Sequence, residues 1–168
     1  MTARKEMQTM KNQTDYDLLL EQLKALTEGE RDTIANLANA SAALYMNLDD
    51  INWAGFYLVR GSQLVLGPFQ GKPACIRIDF GKGVCGTAAS TGTTQLVANV
   101  HEFAGHIACD AASNSEIVIP IRQAGKLVAL LDIDSPSFSR FTQADREGLE
   151  RCAALVAKAC DWDAIAAP

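Results

Sequence analysis

The residues of this chain best suited to chemistry are its five cysteines, which are Cys75, Cys85, Cys109, Cys152 and Cys160. Because five is an odd number, pairing within the chain leaves at least one free thiol. In a reducing compartment, cysteines stay as thiols unless they take part in turnover. The cysteine content therefore favours redox or metal chemistry over structural disulfides.

Sequence context divides the cysteines into two groups. Cys152 and Cys160 lie on the apolar stripe of a predicted C-terminal helix, where free cysteines are usually buried. Cys75, Cys85 and Cys109 each lie within four residues of a glycine, in segments predicted to be strand edges or loops. Thiols in such segments can be reached, and spacing alone leaves reactive and structural roles open for all three.

Two ligand-binding motifs come close to matching this region, and the spacing argues against both. Three thiols with His101 or His106 would make a Cys₃His zinc site, but gaps of ten and 24 residues replace the usual close cysteine pair. The run 81–86 fits G-x-G-x-x-G, but the residues 87–90 that follow it are too few for a crossover helix before Gly92. We therefore predict neither a bound metal nor a cofactor.

Two aspartates continue an apolar strand face. In the segment Lys126–Asp134, residues 128, 130, 132 and 134 share one face and read Val, Leu, Asp, Asp. Like charges at i and i+2 repel, and burying them costs free energy unless a cation is supplied. Asp132 and Asp134 either project into solvent or form a site for an ammonium group or a metal. Glu116 opens the neighbouring predicted strand and would join them.

Aromatic residues mark a second face. Strand alternation places Trp53, Gly55 and Tyr57 on the same side of the segment that begins at Ile51. An aromatic floor opposite a glycine gap can hold a small apolar or cationic group. A purely structural role for both rings in the core is the alternative.

The elements that must position these residues follow from hydrophobic periodicity. We predict two N-terminal helices over 16–26 and 34–48, then a hairpin over 51–66 and a strand over 75–80. A glycine-rich loop with at most a short helix covers 81–92, and a short strand covers 94–97. A long irregular segment over 98–113 leads to a tightly connected strand pair over 116–134. A final helix begins at the N-cap Thr142, with Asp145 completing a capping box. This order predicts an α+β fold, in which the terminal helices pack on one face of an antiparallel sheet.

Length and charge bound the remaining possibilities. The 168 residues suit one domain, predicted over 15–162 between a flexible segment 1–14 and a tail 163–168. A net charge of −5 argues against nucleic-acid binding, and no apolar run approaches the ~20 residues of a membrane span. The N-terminus lacks the pattern of a signal peptide, so we expect a cytoplasmic protein.

Several short strings in order resemble those of one family. They include Asn52-Trp53-Ala54-Gly55-Phe56-Tyr57, Gly67-Pro68-Phe69-Gln70-Gly71, Gly83-Val84-Cys85-Gly86-Thr87-Ala88, Gly105-His106-Ile107-Ala108-Cys109-Asp110, Ser115-Glu116-Ile117-Val118-Ile119-Pro120 and Leu131-Asp132-Ile133-Asp134-Ser135. These strings resemble the free methionine-(R)-sulfoxide reductases, which are single-domain GAF proteins. The resemblance runs from about Asp15 to Cys160.

The resemblance implies a fold, a reaction and residue roles. A GAF-like fold carries a pocket of loops on the sheet face opposite the terminal helices. Cys109 would attack the sulfoxide sulfur, and Cys75, in preference to Cys85, would resolve the resulting sulfenic acid. Glu116 would donate a proton, because a carboxyl beside Asp132 and Asp134 should have a raised pKa. The substrate pocket would be formed by Trp53, Tyr57, Glu116, Asp132 and Asp134. Thioredoxin would reduce the disulfide, and proteins of this kind often form homodimers. The alternative is a GAF sensor that binds a small molecule without consuming it.

Overall fold

The computed structural model describes residues 14–105 and 111–165 of the chain. Its centre is a six-stranded sheet in the order β3-β2-β1-β6-β5-β4, in which every paired neighbour is antiparallel. The elements in chain order are α1 Tyr16–Thr27, α2 Thr33–Asn47, β1 Trp53–Arg60, β2 Gln63–Gly71, β3 Arg77–Asp79, α3 Gly83–Thr91, β4 Gln95–Val97, β5 Ser115–Gln123, β6 Lys126–Ser135 and α4 Gln143–Ala159. Short 3₁₀ helices cover Val100–Glu102 and Asp163–Ile165.

The main core lies between the sheet and the helices α1, α2 and α4. Alternate residues of β1 and β6 enter it, including Phe56, Leu131 and Ile133, each at most 1% exposed. Leucines at helical spacing in α1 and α2 meet them from the other side. The predicted α+β fold with terminal helices on one face is confirmed.

The C-terminal helix begins as the sequence predicts. The Thr142 hydroxyl accepts from the Asp145 backbone N–H, and the Asp145 carboxylate accepts from the Thr142 backbone N–H. The Asp145 carboxylate also accepts from the Tyr16 hydroxyl at 2.7 Å, which ties the start of α4 to α1. Cys152 is buried within α4 as expected, whereas Cys160 is the capping residue just after its end.

The glycine-rich segment after β3, predicted to be a loop with at most a short helix, is helical over most of its length. Helix α3 has nine residues, and most of its first two turns are buried. Its small residues allow close packing, because a side chain at Gly86 would collide with the Asp79 carbonyl oxygen. Packing on the sheet thus outweighs the weak helix propensity of Gly and Thr.

The exclusion of a dinucleotide fold stands, but for a different reason. A helix does begin within the G-x-G-x-x-G run, at Gly83, but the strands on either side of it, β3 and β4, lie at opposite edges of the antiparallel sheet. A dinucleotide fold needs neighbouring parallel strands at that point. The topology, rather than the length of the segment, excludes it.

Two bulges change the predicted strand faces. In β6, Ile121 pairs with Ala129 and Arg122 with Leu127, so Val128 is the extra residue and packs on the helix side. The predicted shared face therefore holds from residue 130 onward and fails at 128. A bulge at Gly67-Pro68 lets β2 continue to Gly71, five residues beyond the predicted end of the hairpin.

The predicted ends of other segments differ less from those in the structure. The strand predicted over 75–80 is only Arg77–Asp79, so Cys75 lies in the irregular segment before it. The predicted flexible segment 1–14 falls mainly on residues outside the described part, and the domain limits 15 and 162 stay predictions. No helix within 14–105 and 111–165 combines the length and apolar character of a membrane span.

Candidate active site

The strand register brings the predicted carboxylates and aromatic rings to one end of the sheet. Trp53 pairs with Asp134, Gly55 pairs with Asp132, and Glu116 on β5 also pairs with Asp134. Glu116 and Asp132 are buried, and Asp134 is half-buried. Projection of Asp132 into solvent is therefore wrong, and the alternative of a shared site on the face opposite the main core is the one that the geometry supports.

The aromatic floor is a stack of three rings. Trp53 lies 5.2 Å from Phe69 and 6.1 Å from Tyr57 between ring centroids, and both pairs are nearly parallel. The Trp53 Nε1–H donates to the Lys72 carbonyl at 3.1 Å, and the Tyr57 hydroxyl donates to the Cys75 carbonyl at 2.8 Å. These bonds hold both rings in place and fasten the segment before β3 to them.

Phe69 is the member of this stack for which the sequence analysis gave no role. It lies opposite Gly55 in the β1–β2 register, and the glycine leaves the space that Phe69 Cβ and the edge of the Trp53 ring occupy. The pairing of a glycine with an aromatic residue across a hairpin was the signal available, but the unpredicted bulge hid the register. Phe69 thus extends the floor formed by Trp53 and Tyr57.

We expect Gly55→Ala to destabilise the protein by about 1–3 kcal/mol, the usual cost of overpacking. An added Cβ would collide with Phe69 Cβ and lie 2.8 Å from the Trp53 ring, so the stack would have to move. Chemical denaturation measures the loss. The matched control is Gly29→Ala, where no atom lies within 4 Å and only the backbone penalty of a positive φ applies. Equal losses, with unchanged near-ultraviolet circular dichroism, would contradict the prediction.

The thiol of Cys85 contacts the carboxyl groups of Glu116 and Asp132. It lies in the first turn of α3 and is buried, in contrast to the accessible loop position that the sequence predicted. Its S–H donates to Asp132 Oδ2 at 3.3 Å, and Sγ lies 3.8 Å from Glu116 Oε1. Within the described part of the chain, no group donates to the buried Asp132 Oδ1. We call Cys85, Glu116 and Asp132 the acid cluster.

Burial and crowding favour the protonated forms in the acid cluster. Burial, followed by the charge of Asp132, raises the pKa of Glu116 well above its usual range. Burial raises the pKa of Asp132 to about 6, although the hydrogen bond from Cys85 opposes the shift. Burial and the Asp132 charge also raise the pKa of the Cys85 thiol. These shifts all favour the carboxylic acid of Glu116 and the thiol of Cys85 beside Asp132.

We expect this cluster to make the free energy of unfolding fall as pH rises from about 4, where ordinary carboxyls titrate, through 6. The folded state keeps protons in this range that the unfolded chain releases, so raising the pH favours unfolding. Denaturation of the wild type and Asp132→Asn across this range isolates the effect. The variant should show the flatter profile, and parallel profiles would rule out the raised pKa.

The remaining cysteines separate by oxidation state. Cys75 is disulfide-bonded and half-buried, so in this form its sulfur is no zinc-binding thiolate. Cys85, Cys152 and Cys160 are free thiols. Burial raises the pKa of Cys152 to about 12 and that of Cys160 to about 11, which agrees with their predicted place in the core. Cys109 and His106 lie outside the described residues.

The fold and the site together define a GAF domain. The family model described as "GAF domain" matches residues 17–160 of the chain. The free methionine-R-sulfoxide reductase of Escherichia coli is 53% identical over 148 residues, which cover 88% of this chain and 90% of that protein. The chain therefore belongs to the GAF family, in the group of the free methionine-R-sulfoxide reductases.

Solved structures agree with this assignment. The fRMsr of Staphylococcus aureus in complex with substrate superposes with a TM-score of 0.85 at 53% identity, covering 88% of this chain and 97% of that one. The free methionine-R-sulfoxide reductase of Neisseria meningitidis in complex with its substrate gives 0.83 at 41% identity, covering 86% and 87%. The predicted family is confirmed.

Proposed function

We propose that this protein reduces free L-methionine (R)-S-oxide to L-methionine with its own thiols. The observation that carries the proposal is the disulfide-bonded Cys75 in contact with Tyr57 of the aromatic floor. Its carbonyl accepts from the Tyr57 hydroxyl, and burial, followed by the charges of Asp132 and neighbouring groups, raises the pKa of Tyr57. The names of the relatives support the same reaction.

The first step is attack of a thiolate on the sulfoxide sulfur. The family resemblance assigns this thiolate to Cys109. As the Cys109 sulfur takes the oxygen, a proton must reach that oxygen, methionine leaves as the thioether, and Cys109 becomes a sulfenic acid. The sulfoxide gains two electrons and the cysteine loses two. The protonated Glu116 supplies the proton, because burial and the Asp132 charge raise its pKa.

The second step closes a disulfide and releases water. A resolving thiol displaces the hydroxyl of the sulfenic acid. We assign this role to Cys75, which is disulfide-bonded, and not to Cys85, whose thiol is free and donates to Asp132. Burial raises the pKa of Cys85, which makes it a poor nucleophile. Since Cys85, Cys152 and Cys160 are free, Cys109 is the partner that the proposal gives to Cys75.

Asp132 and Asp134 would recognise the α-ammonium group of a free amino acid. Asp132 Oδ1 is buried without a donor in the described part of the chain, and an α-ammonium group would supply one. Asp134 pairs with both Trp53 and Glu116 in the sheet and would be the second anchor. A methionine inside a peptide has no α-ammonium group, so it could not supply this donor. Trp53 would contact the methyl group and select the R epimer.

We expect Asp134→Asn to raise KM about tenfold or more and to change kcat little. A charge-assisted hydrogen bond to the ammonium group is worth about 1.5–3 kcal/mol, and it is present in both the ground and the transition state. Steady-state kinetics with free methionine-R-sulfoxide measure the effect. The matched control is Asp17→Asn on the exposed surface of α1, which should keep the wild-type KM. An unchanged KM in Asp134→Asn would remove the anchoring role.

The reductant and setting follow from the disulfide chemistry. A thioredoxin dithiol would reduce the Cys75 disulfide by thiol–disulfide exchange and restore the enzyme without a bound cofactor. Such reductants operate in the cytoplasm, which is the location we propose. A homodimer is the assembly that the family resemblance suggests. Nucleic acid and membranes are not among the proposed partners.

A single-turnover assay tests the proposed function. Fully reduced protein is mixed with free methionine-R-sulfoxide or its S epimer, and methionine and free thiols are counted before and after. We expect one methionine per chain and the loss of two thiols with the R epimer, and neither change with the S epimer. Binding of the sulfoxide without loss of thiols would identify the GAF sensor alternative instead.

A further inference from the structure

The acid cluster has the spacing of a metal coordination sphere. Its three potential ligand atoms come from α3, β5 and β6 and lie within 4.8 Å of one another. Cys85 Sγ lies 3.3 Å from Asp132 Oδ2 and 3.8 Å from Glu116 Oε1. Tetrahedral zinc, with bonds of about 2.0 to 2.3 Å, spaces its sulfur and oxygen ligands about 3.3–3.7 Å apart. The three residues could therefore bind one ion with little movement of the backbone.

The ion pairs among residues 14–105 and 111–165 include none to a member of the cluster. Asp132 Oδ1 is buried there without a donor, while Oδ2 accepts the Cys85 S–H. Buried carboxylates are normally paired with a charge or coordinate a metal. This orphaned oxygen is an observation separate from the spacing, and it points to a cation.

The donor set selects the class of ion. One thiolate and two carboxylates suit zinc or cadmium, whereas magnesium and calcium prefer six or more oxygen ligands. Three protein ligands leave a fourth position of the tetrahedron for water. Binding forms the metal–sulfur and metal–oxygen bonds and releases the Cys85 thiol proton and the Glu116 carboxyl proton to solvent, so that no electrons are transferred.

We propose that Cys85, Glu116 and Asp132 form a site for a thiophilic divalent cation of the zinc class, which excludes the substrate while bound. The exclusion rests on the proposed function, because the ion and the substrate's α-ammonium group would compete for Asp132. The metal site itself rests only on the geometry of the acid cluster. Zinc would thus act as a reversible competitive inhibitor.

Cadmium binding to the oxidised full-length protein tests the site directly. In this form Cys75 is disulfide-bonded, and among the described residues the free thiols besides Cys85 are Cys152 and Cys160, which lie in the main core. Equilibrium dialysis counts bound cadmium, and the thiolate-to-cadmium charge-transfer band in the ultraviolet reports a sulfur ligand. We expect one ion per chain with the band, displacement by zinc, and no displacement by magnesium.

Variants decide which residues hold the ion. Cys85→Ser should abolish the band, whereas Cys152→Ala, the matched control, should keep it. Glu116→Gln should weaken binding about tenfold or more and covers the case in which Cys85→Ser fails to fold. No band in the wild type, or a band that persists in folded Cys85→Ser, would overturn the proposal. Wild-type turnover without cadmium binding would reject only the metal site, and cadmium binding without turnover would reject only the proposed function.

Discussion

Replacing Cys109 by serine should abolish the reduction of free methionine-R-sulfoxide in the presence of thioredoxin. A serine hydroxyl is not ionised near neutral pH and is a far weaker nucleophile than a thiolate, so no sulfenic acid can form. The expected loss of kcat is at least about 10³-fold, comparable to removal of an enzyme's nucleophile. A coupled assay that follows thioredoxin oxidation or methionine release measures it. Turnover at a rate comparable to that of the wild type would refute the assignment.

Two further cysteine variants distinguish attack from resolution. Cys75→Ser should still release about one methionine per chain and then stop, because the sulfenic acid of Cys109 would lack its resolving thiol. Cys152→Ala should keep both the burst and the turnover, since Cys152 is buried between α4 and the sheet. If Cys75→Ser turned over normally, Cys85 or an external thiol would be the resolving group.

Replacing Glu116 by glutamine should lower kcat about 10²–10⁴-fold, the usual contribution of a general acid. The amide keeps the size of the side chain but cannot transfer a proton to the sulfoxide oxygen. In the wild type, burial and the Asp132 charge raise the pKa of Glu116, which favours the protonated acid. We therefore expect kcat of the wild type to fall as pH rises through this raised pKa, and the variant to lose that part of the profile.

The control for this variant is Glu147→Gln on the exposed side of α4, which should leave kcat and its pH profile unchanged. Glu116→Asp tests the chemistry further, because it restores a carboxylic acid at a shorter reach and should recover part of kcat. A Glu116→Gln enzyme with wild-type kcat and an unaltered pH profile would show that another group donates the proton. Asp132 would then be the next carboxyl to replace.

The proposed reaction and the metal site draw on one physical property of the acid cluster. Three acidic groups are buried together without a basic residue among the described partners, so protons, an ammonium group or a divalent cation must balance their charge. Protons do so in the free protein, which keeps Glu116 ready as an acid. A substrate ammonium group and a metal ion would each use Asp132, so the same cluster can recognise the one and be inhibited by the other.

Local patterns in the sequence were sufficient for most of the architecture. Period-3.6 stripes located α1, α2 and α4, and the capping box fixed the start of α4 at Thr142. Apolar alternation and tight turns located β1, β5 and β6. These signals are reliable because each arises from residues close together in the chain, whose spacing directly sets which side is buried.

The structural predictions that were wrong share a different cause. Helix α3 has several residues with weak helix propensity, among them two glycines and two threonines, and it forms because Gly86 and its small neighbours pack closely on Asp79 and Gly81. The bulges at Val128 and at Gly67-Pro68 depend on how neighbouring strands pair, which no single segment reveals. Two of these features shifted residues relevant to the site, since helix α3 placed Cys85 in the interior and the β2 bulge set Phe69 against Trp53.

The sequence by itself therefore determined which residues are able to react and what the family is, since cysteines, clustered aspartates and an aromatic face are properties of residue type and order. Only the tertiary structure decided how they share the work. It buried Cys85 against Glu116 and Asp132 and left it a free thiol while Cys75 is disulfide-bonded. The physical reason is that oxidation state and burial depend on contacts between segments distant in the chain, here α3, β5 and β6, which spacing along one segment cannot encode.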